Sequence, residues 1–267
     1  MEKINLWDEA PNYNPKYDNE HNEGCPSLDC YLVDADEPRP AFLICPGGGY
    51  DHRAEHEGGL IATELNGFGV NAFVLNYRVK PYSHPVMLND AQRAMRYIRY
   101  NSERFNVVPD RIGAMGFSAG GHLALMLSEH YADYDYKHKD EMDEVSARPD
   151  ALCLCYPVVS CVSSVMHERT AENLCGDNKE FRVQLSGELN VNHTMPPVFV
   201  WHTMEDASVN CINSIELVKS LKHNNVPVEY HLFTFGRHGL GLATGTKGTE
   251  QWFWLFINWL KVNGFGI

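Results

Sequence analysis

No stretch of the 267-residue chain approaches the ~18 consecutive apolar residues that a membrane-spanning helix needs. The opening segment, MEKINLWDEAPNYNPKYDNE, lacks an apolar run of signal-peptide length. A soluble chain without an export signal is the expectation. Positive charge is scarce as well: 22 Lys plus Arg against 35 Asp plus Glu leave a net charge of −13. Such a chain repels phosphate backbones and anionic lipid, which argues against nucleic acid or a membrane surface as a partner. The eight cysteines contain no CxxC and no Cys/His spacing typical of zinc. Several sit in apolar runs such as FLIC and ALCLCYPVV, where a thiol serves as a small buried hydrophobe. Free thiols and a cytoplasmic location follow as the reading. Repeats and low-complexity tracts are lacking, and with 44% hydrophobic and 21% charged residues the composition is globular.

What the chain does have is an alternation of short apolar runs and helical patterns. Residues 41–45 (AFLIC), 70–75 (VNAFVL), 111–115 (RIGAM), 151–156, 198–201 and 228–235 read as strands. Met87, Ala91, Ala94, Met95 and Ile98 recur at helical spacing, with Arg93, Arg96 and Arg99 among the outward positions. Further helices are expected over 119–130, 209–223 and 249–262, and Met87, Met95, Trp252, Trp254 and Trp259 read as core. Strands apolar on both faces, separated by helices, indicate an α/β fold with a mostly parallel sheet. Residues 1–40 look like an extended arm leading into one or two edge strands. Residues 157–197 have little periodicity and form either a small cap over a site or a solvated connection.

The strongest chemical signal is Gly116-Phe117-Ser118-Ala119-Gly120, a GxSxG between a strand and a helix. That context holds the serine in a tight, strained turn with its hydroxyl above the sheet, and the helix start favours developing negative charge. A serine hydroxyl needs a base, and the base needs an orienting carboxylate. In the order Ser…Asp…His, Asp206 lies in the loop after strand 198–201, with Glu205 as its neighbouring competitor. His238 lies in Gly236-Arg237-His238-Gly239, after the last strand. Pro46-Gly47-Gly48-Gly49-Tyr50 directly follows the first strong strand. Its glycines let backbone N–H groups point at a carbonyl oxygen, so Gly48 or Gly49, with Ala119, is expected to form the oxyanion hole. No Gly-Lys-Ser/Thr follows these glycines, which excludes a P-loop. Tyr50 is placed to wall the substrate cleft, or else to pack as an aromatic. Glu57 either pins the glycine loop or faces solvent. His52 and His56 sit four apart, as metal ligands can, but the HExxH pattern fails because Arg53 follows His52. No metal and no cofactor is expected.

Together these residues resemble the α/β-hydrolase superfamily, and within it the esterase/lipase branch of acetyl esterases, acetylxylan esterases and similar carbohydrate esterases. The matching pieces are PGGGY (46–50) with Glu57, NYRV (76–79), DAQRAMRYIR (90–99), GFSAGGHLA (116–124), YPV (156–158), HTMEDASV (202–209) and GRHGLGL (236–242). They run in the family's order and cover nearly the whole chain. The resemblance implies one hydrolase domain over 1–267, with 157–197 as a small cap insertion. It implies Ser118 as nucleophile, Asp206 as orienting acid, His238 as base, and Gly48, Gly49 and Ala119 as the hole. The implied reaction is hydrolysis of short acyl esters, acetyl above all, on carbohydrate or another small neutral alcohol; homodimers are common among such relatives. PGGGY in place of HGGG weighs against long-chain lipid substrates. Two rivals share the features: an arylformamidase or other amide hydrolase with the same triad, and a catalytically inactive hydrolase-fold binding protein. A peptidase of the oligopeptidase type would need a propeller or large cap, for which the chain has no room.

Overall fold

The structure, a computed structural model, describes residues 2–133 and 140–267. Eight strands form one sheet in the order β1-β2-β4-β3-β5-β6-β7-β8: β1 (Glu2–Asn5), β2 (Ser27–Tyr31), β3 (Arg39–Cys45), β4 (Asn71–Asn76), β5 (Val107–Phe117), β6 (Leu152–Cys155), β7 (Val198–Thr203) and β8 (Val228–Phe233). From β4 through β8 every neighbouring pair is parallel. β1 and β2 add on antiparallel at the edge, where the N-terminal arm was expected to supply strands.

Alternate side chains of each strand enter two separate cores. Ala41, Leu43 and Cys45 of β3 face one, and Phe42 and Ile44 face the other. Helices α2 (Val86–Tyr100), α3 (Ala119–Glu129) and α7 (Ile212–His223) cover the first face. Helices α1 (Gly59–Asn66) and α8 (Trp252–Val262) cover the second, with Trp252 and Phe256 packed on Trp201 and Phe199. This mostly parallel sheet with helices on both faces is the α/β-hydrolase architecture.

Segment 157–197 holds three short helices, α4 (Glu168–Cys175), α5 (Lys179–Gln184) and α6 (Gly187–Asn190). Their contact with the glycine loop is direct. Asn173 donates to the Gly49 carbonyl at 2.9 Å, and Arg169 pairs with Asp51 at 2.8 Å.

Two sequence expectations about side-chain placement need correcting here. Arg93 and Arg96 do not point outward; both are buried. Their guanidinium groups reach past the helix to the Leu6 and Val145 carbonyls and, for Arg93, to Asp140, so the polar heads find acceptors while the stems cover core. Trp254 is exposed beside Phe68, unlike Trp252 and Trp259. The NYRV and DAQRAMRYIR segments meet in a buried ion pair, Arg78 with Asp90 at 2.5 Å, and Arg78 also donates to the Pro11 carbonyl, tying down the N-terminal arm.

No described helix is long and apolar enough to cross a membrane. The eight cysteines are free thiols.

Candidate active site

β5 ends at Phe117 and α3 begins at Ala119, which leaves Ser118 alone at the corner with φ 54° and ψ −119°. A non-glycine residue rarely adopts that conformation; here its surroundings enforce it. Cβ atoms at positions 116 and 120 would lie 2.1 Å from the Gly120 carbonyl oxygen and 2.0 Å from the Cys45 carbonyl oxygen. Glycine at both positions therefore lets the turn close against β3.

The chain brings three distant residues to this corner. Ser118 Oγ lies 2.8 Å from His238 Nε2, and His238 Nδ1 lies 2.6 Å from Asp206 Oδ2. The carboxylate accepts from Nδ1–H, so Nε2 carries the lone pair that faces the serine hydroxyl. Asp206 itself is heavily partnered. Its Oδ1 accepts from the Ser208 and Val209 amides, both at 2.9 Å, and its Oδ2 also lies 3.2 Å from His202 Nε2. Burial works to raise its pKa, but the hydrogen bonds from His202, His238 and the Val209 backbone outweigh burial and hold it well below the usual carboxylate range. Glu205 does a different job: its carboxyl accepts from the Gly236 amide at 2.9 Å, bracing the base of the histidine loop.

Across the serine lies the glycine loop. Gly48 (φ 122°) and Gly49 (φ 64°) take conformations that L side chains avoid, and a Cβ at Gly48 would sit 2.2 Å from the His52 carbonyl oxygen. Among the described residues, the amides of Gly48, Gly49 and Ala119 have no acceptor. Gly47 differs, since its amide donates to Glu57 at 2.8 Å. Glu57 is buried, so of the two readings open for it, pinning the loop is the one seen.

Tyr50 does not wall the cleft. With φ 59° its side chain turns inward; the ring is fully buried, and its hydroxyl donates to His122 Nδ1 at 2.9 Å. His122 Nε2 donates in turn to the Leu185 carbonyl at 2.7 Å. Tyr50 thus anchors the glycine loop to α3 and to segment 157–197. A sequence pattern cannot show that a third consecutive positive φ reverses the side chain.

Two further residues lie near the site: His167, outside every motif that carries the resemblance, and His202, which opens HTMEDASV (202–209) but has no role assigned there. His167, just before α4, hydrogen-bonds through Nδ1 to Thr170 Oγ1 at 2.7 Å. Thr170 Oγ1 is the atom nearest to where a side chain at Gly49 would begin, at 3.8 Å. Burial lowers the His167 pKa, and the nearby His238 and Arg169 lower it further while Asp206 opposes them. His202 is the second: it is fully buried, receives the Ser214 hydroxyl at Nδ1 (2.7 Å), and directs Nε2 at the Val209 carbonyl and Asp206.

Among the described residues no group of three His, Cys, Asp or Glu is arranged to hold a metal ion. His52 lies beside Asp51, whereas His56 bonds the Gly239 carbonyl at 3.1 Å; the two serve separate contacts.

A family model named BD-FAE matches residues 28–221. The chain belongs to the BD-FAE family. An acetyl ester-xyloside bifunctional hydrolase from Caldicellulosiruptor lactoaceticus is 42% identical, with a TM-score of 0.93 over 99% of this chain and 97% of that one. A carboxylesterase from Lactobacillus plantarum superposes with a TM-score of 0.76 at 26% identity, over 90% of this chain and 94% of that one. Endo-1,4-beta-xylanase B of Butyrivibrio fibrisolvens is 35% identical over 90% of this chain. An acetylxylan esterase of Xylanibacter ruminicola is 28% identical over 90% of it. The chain spans 38% and 49% of the lengths of those last two relatives. These likenesses support carboxylesterase-type hydrolase function for this BD-FAE chain.

Proposed function

We propose that the chain is a serine carboxylesterase that removes short acyl groups, acetyl above all, from carbohydrate or another small neutral alcohol. The observation that carries this reading is the continuous relay from Asp206 through His238 to Ser118, at 2.6 and 2.8 Å. Ser118 Oγ attacks the ester carbonyl while His238 Nε2 takes its proton. The charge that develops on the carbonyl oxygen is received by the amides of Ala119 and of Gly48 or Gly49, held in place before the reaction begins. The protonated His238 then returns its proton to the departing alcohol, leaving an acyl-serine. Water activated by the same imidazole releases the acid. The depressed pKa of Asp206 supports a carboxylate that stays ionised and steadies the imidazolium. Segment 157–197, joined to the glycine loop by Asn173 and Arg169, acts as a small cap on the same hydrolase unit.

A net charge of −13 disfavours anionic substrates and suits neutral acylated ones. The likeness to a xyloside-active acetyl esterase and to an acetylxylan esterase supports xylose-containing acetyl esters as the first to test.

An organophosphonate probe tests the mechanism: the adduct is expected at Ser118, and its absence refutes a serine enzyme and favours a binding protein. A panel of p-nitrophenyl acetate and octanoate, acetylated xylan, a feruloyl ester and N-formylkynurenine tests the substrate class. Acetyl esters are expected to lead; a lead for octanoate or for the formamide refutes the acetyl-ester assignment.

A further inference from the structure

The oxyanion loop and the histidine loop lie far apart in sequence, yet a short buried chain of hydrogen bonds joins them. It starts at the Gly47 amide, which donates to Glu57 Oε2 at 2.8 Å. The other oxygen of that carboxyl, Oε1, accepts from the Tyr156 hydroxyl at 2.7 Å. The same hydroxyl accepts from the Gly241 amide at 2.8 Å, and the Gly241 carbonyl receives the Trp252 indole N–H at 3.1 Å. Gly241 lies three residues beyond His238. The connection thus runs from the loop that offers amides to the oxyanion to the loop that carries the base.

Tyr156 contributes a second contact. Its ring meets the His238 imidazole edge to face, with centroids 5.1 Å apart, and is clamped on its other sides by Trp201 at 4.9 Å and Phe117 at 5.9 Å. Its backbone is held at φ 38°, again in the region a non-glycine residue avoids. Tyr156 is 1% and Glu57 2% exposed. Burying a hydroxyl and a carboxyl is unfavourable unless every polar atom is matched, and here the three side-chain oxygens are. A phenylalanine and an aliphatic residue would fill the same space without that requirement.

We infer that Tyr156 and Glu57 are positioning residues that set the oxyanion amides and His238 at their mutual spacing around Ser118. The inference rests on the esterase reading above. Neither residue touches the reacting atoms; Glu57 acts through Gly47, and Tyr156 acts through Gly241 and the imidazole face. Transition-state stabilisation depends on donors placed to within fractions of an ångström, whereas ground-state binding of a small ester does not. Loosening the chain should therefore lower kcat and leave KM nearly alone.

The test compares Tyr156→Phe, Glu57→Ala and Glu57→Gln with the parent, using p-nitrophenyl acetate turnover and the rate of phosphonate labelling of Ser118. Tyr156→Phe keeps the ring against His238 and removes only the hydroxyl. A loss of about 10- to 100-fold in both kcat and labelling rate is expected, with KM within about threefold. Glu57→Ala should lose as much. Glu57→Gln should recover part of the rate, because the amide oxygen still accepts from Gly47, while its NH2 group leaves the Tyr156 O–H without the acceptor that Glu57 provides. Combining Tyr156→Phe with Glu57→Ala should cost little more than either change alone, since each breaks the same chain. Unchanged kcat in well-folded variants, or fully multiplicative losses in the double variant, overturns the inference. If Tyr156→Phe fails to fold, Glu57→Ala against Glu57→Gln decides, and equal rates for the two overturn it. A parent protein that takes no label overturns the esterase reading itself; a labelled parent with unaffected variants overturns only the positioning role.

Discussion

His202 and His238 converge on one carboxylate oxygen, Asp206 Oδ2, at 3.2 and 2.6 Å. Only His238 faces the serine. His202 is enclosed by Ser214 and the Val209 carbonyl and has no route to a substrate, so its contribution is to fix and electrostatically support the aspartate. Neighbouring Glu205 binds the Gly236 amide instead of an imidazole. The two acids that sequence leaves in competition are thus separated by what each one holds.

Asp206→Asn should lower kcat by about 10³- to 10⁴-fold, because the amide disturbs the imidazole tautomer. Glu205→Gln, which keeps an acceptor for Gly236, should cost less than about tenfold. Steady-state kinetics on p-nitrophenyl acetate check both, and comparable losses in the two variants would contradict the assignment of Asp206.

Gly120→Ala puts a methyl 2.0 Å from the Cys45 carbonyl oxygen, a contact the sheet can relieve only by moving β3 from the elbow. A loss of several kcal/mol or of soluble protein is expected, as for severe overpacking. Gly245→Ala, with open space but a φ of +75°, should cost only about 1 kcal/mol. Urea midpoints for the two variants check the contrast.

Stability should decline in mild acid. Burial lowers the pKa of His122 from 6.5 to about 4, so the folded chain keeps this imidazole neutral where the unfolded chain protonates it. The contribution is complete above pH ~6.5 and is lost as pH falls from there toward 4, on the order of 3 kcal/mol from this group. The urea midpoint is expected to drop over that window. His122→Gln should be weaker at pH 7 yet show a flatter acid slope, and an unaltered slope would place the effect elsewhere.

His167 stands beside His238 with Nδ1 engaged by Thr170. Its other ring nitrogen is expected to meet the alcohol part of a substrate. His167→Ala should raise KM for acetylated xylo-oligosaccharides about three- to tenfold while changing p-nitrophenyl acetate kinetics less than twofold, on the scale of one lost hydrogen bond. Equal effects on both substrates would remove His167 from alcohol recognition.

The strands, the elbow and the order Ser118, Asp206, His238 were legible because each depends on local chemistry. Apolar runs mark strands covered on both faces, and paired glycines mark a turn that tolerates no Cβ. The remaining features depend on contacts between distant segments. Helix α1 opens on Gly58-Gly59 and runs for eight residues, too short for a clear periodic signal. Arg93 and Arg96 look like surface charges until the N-terminal arm and the 140–145 turn supply their acceptors. Tyr50 changes role through one backbone angle. Nothing around His167 or Tyr156 in sequence says which loops they will meet.

The backbone of Ser118 has a thermodynamic side. At φ 54° and ψ −119° Ser118 occupies a region open to glycine, and a serine there costs on the order of 1–3 kcal/mol. The rest of the molecule carries that load permanently, whether or not substrate is present. Ser118→Gly would release it, offset in part by the greater freedom of glycine in the unfolded chain. The silent variant should melt about 2 °C or more above its parent, as a net gain near 1 kcal/mol would give. The fold is in this sense tuned below its own maximum stability, and part of the shortfall is located at the Ser118 backbone.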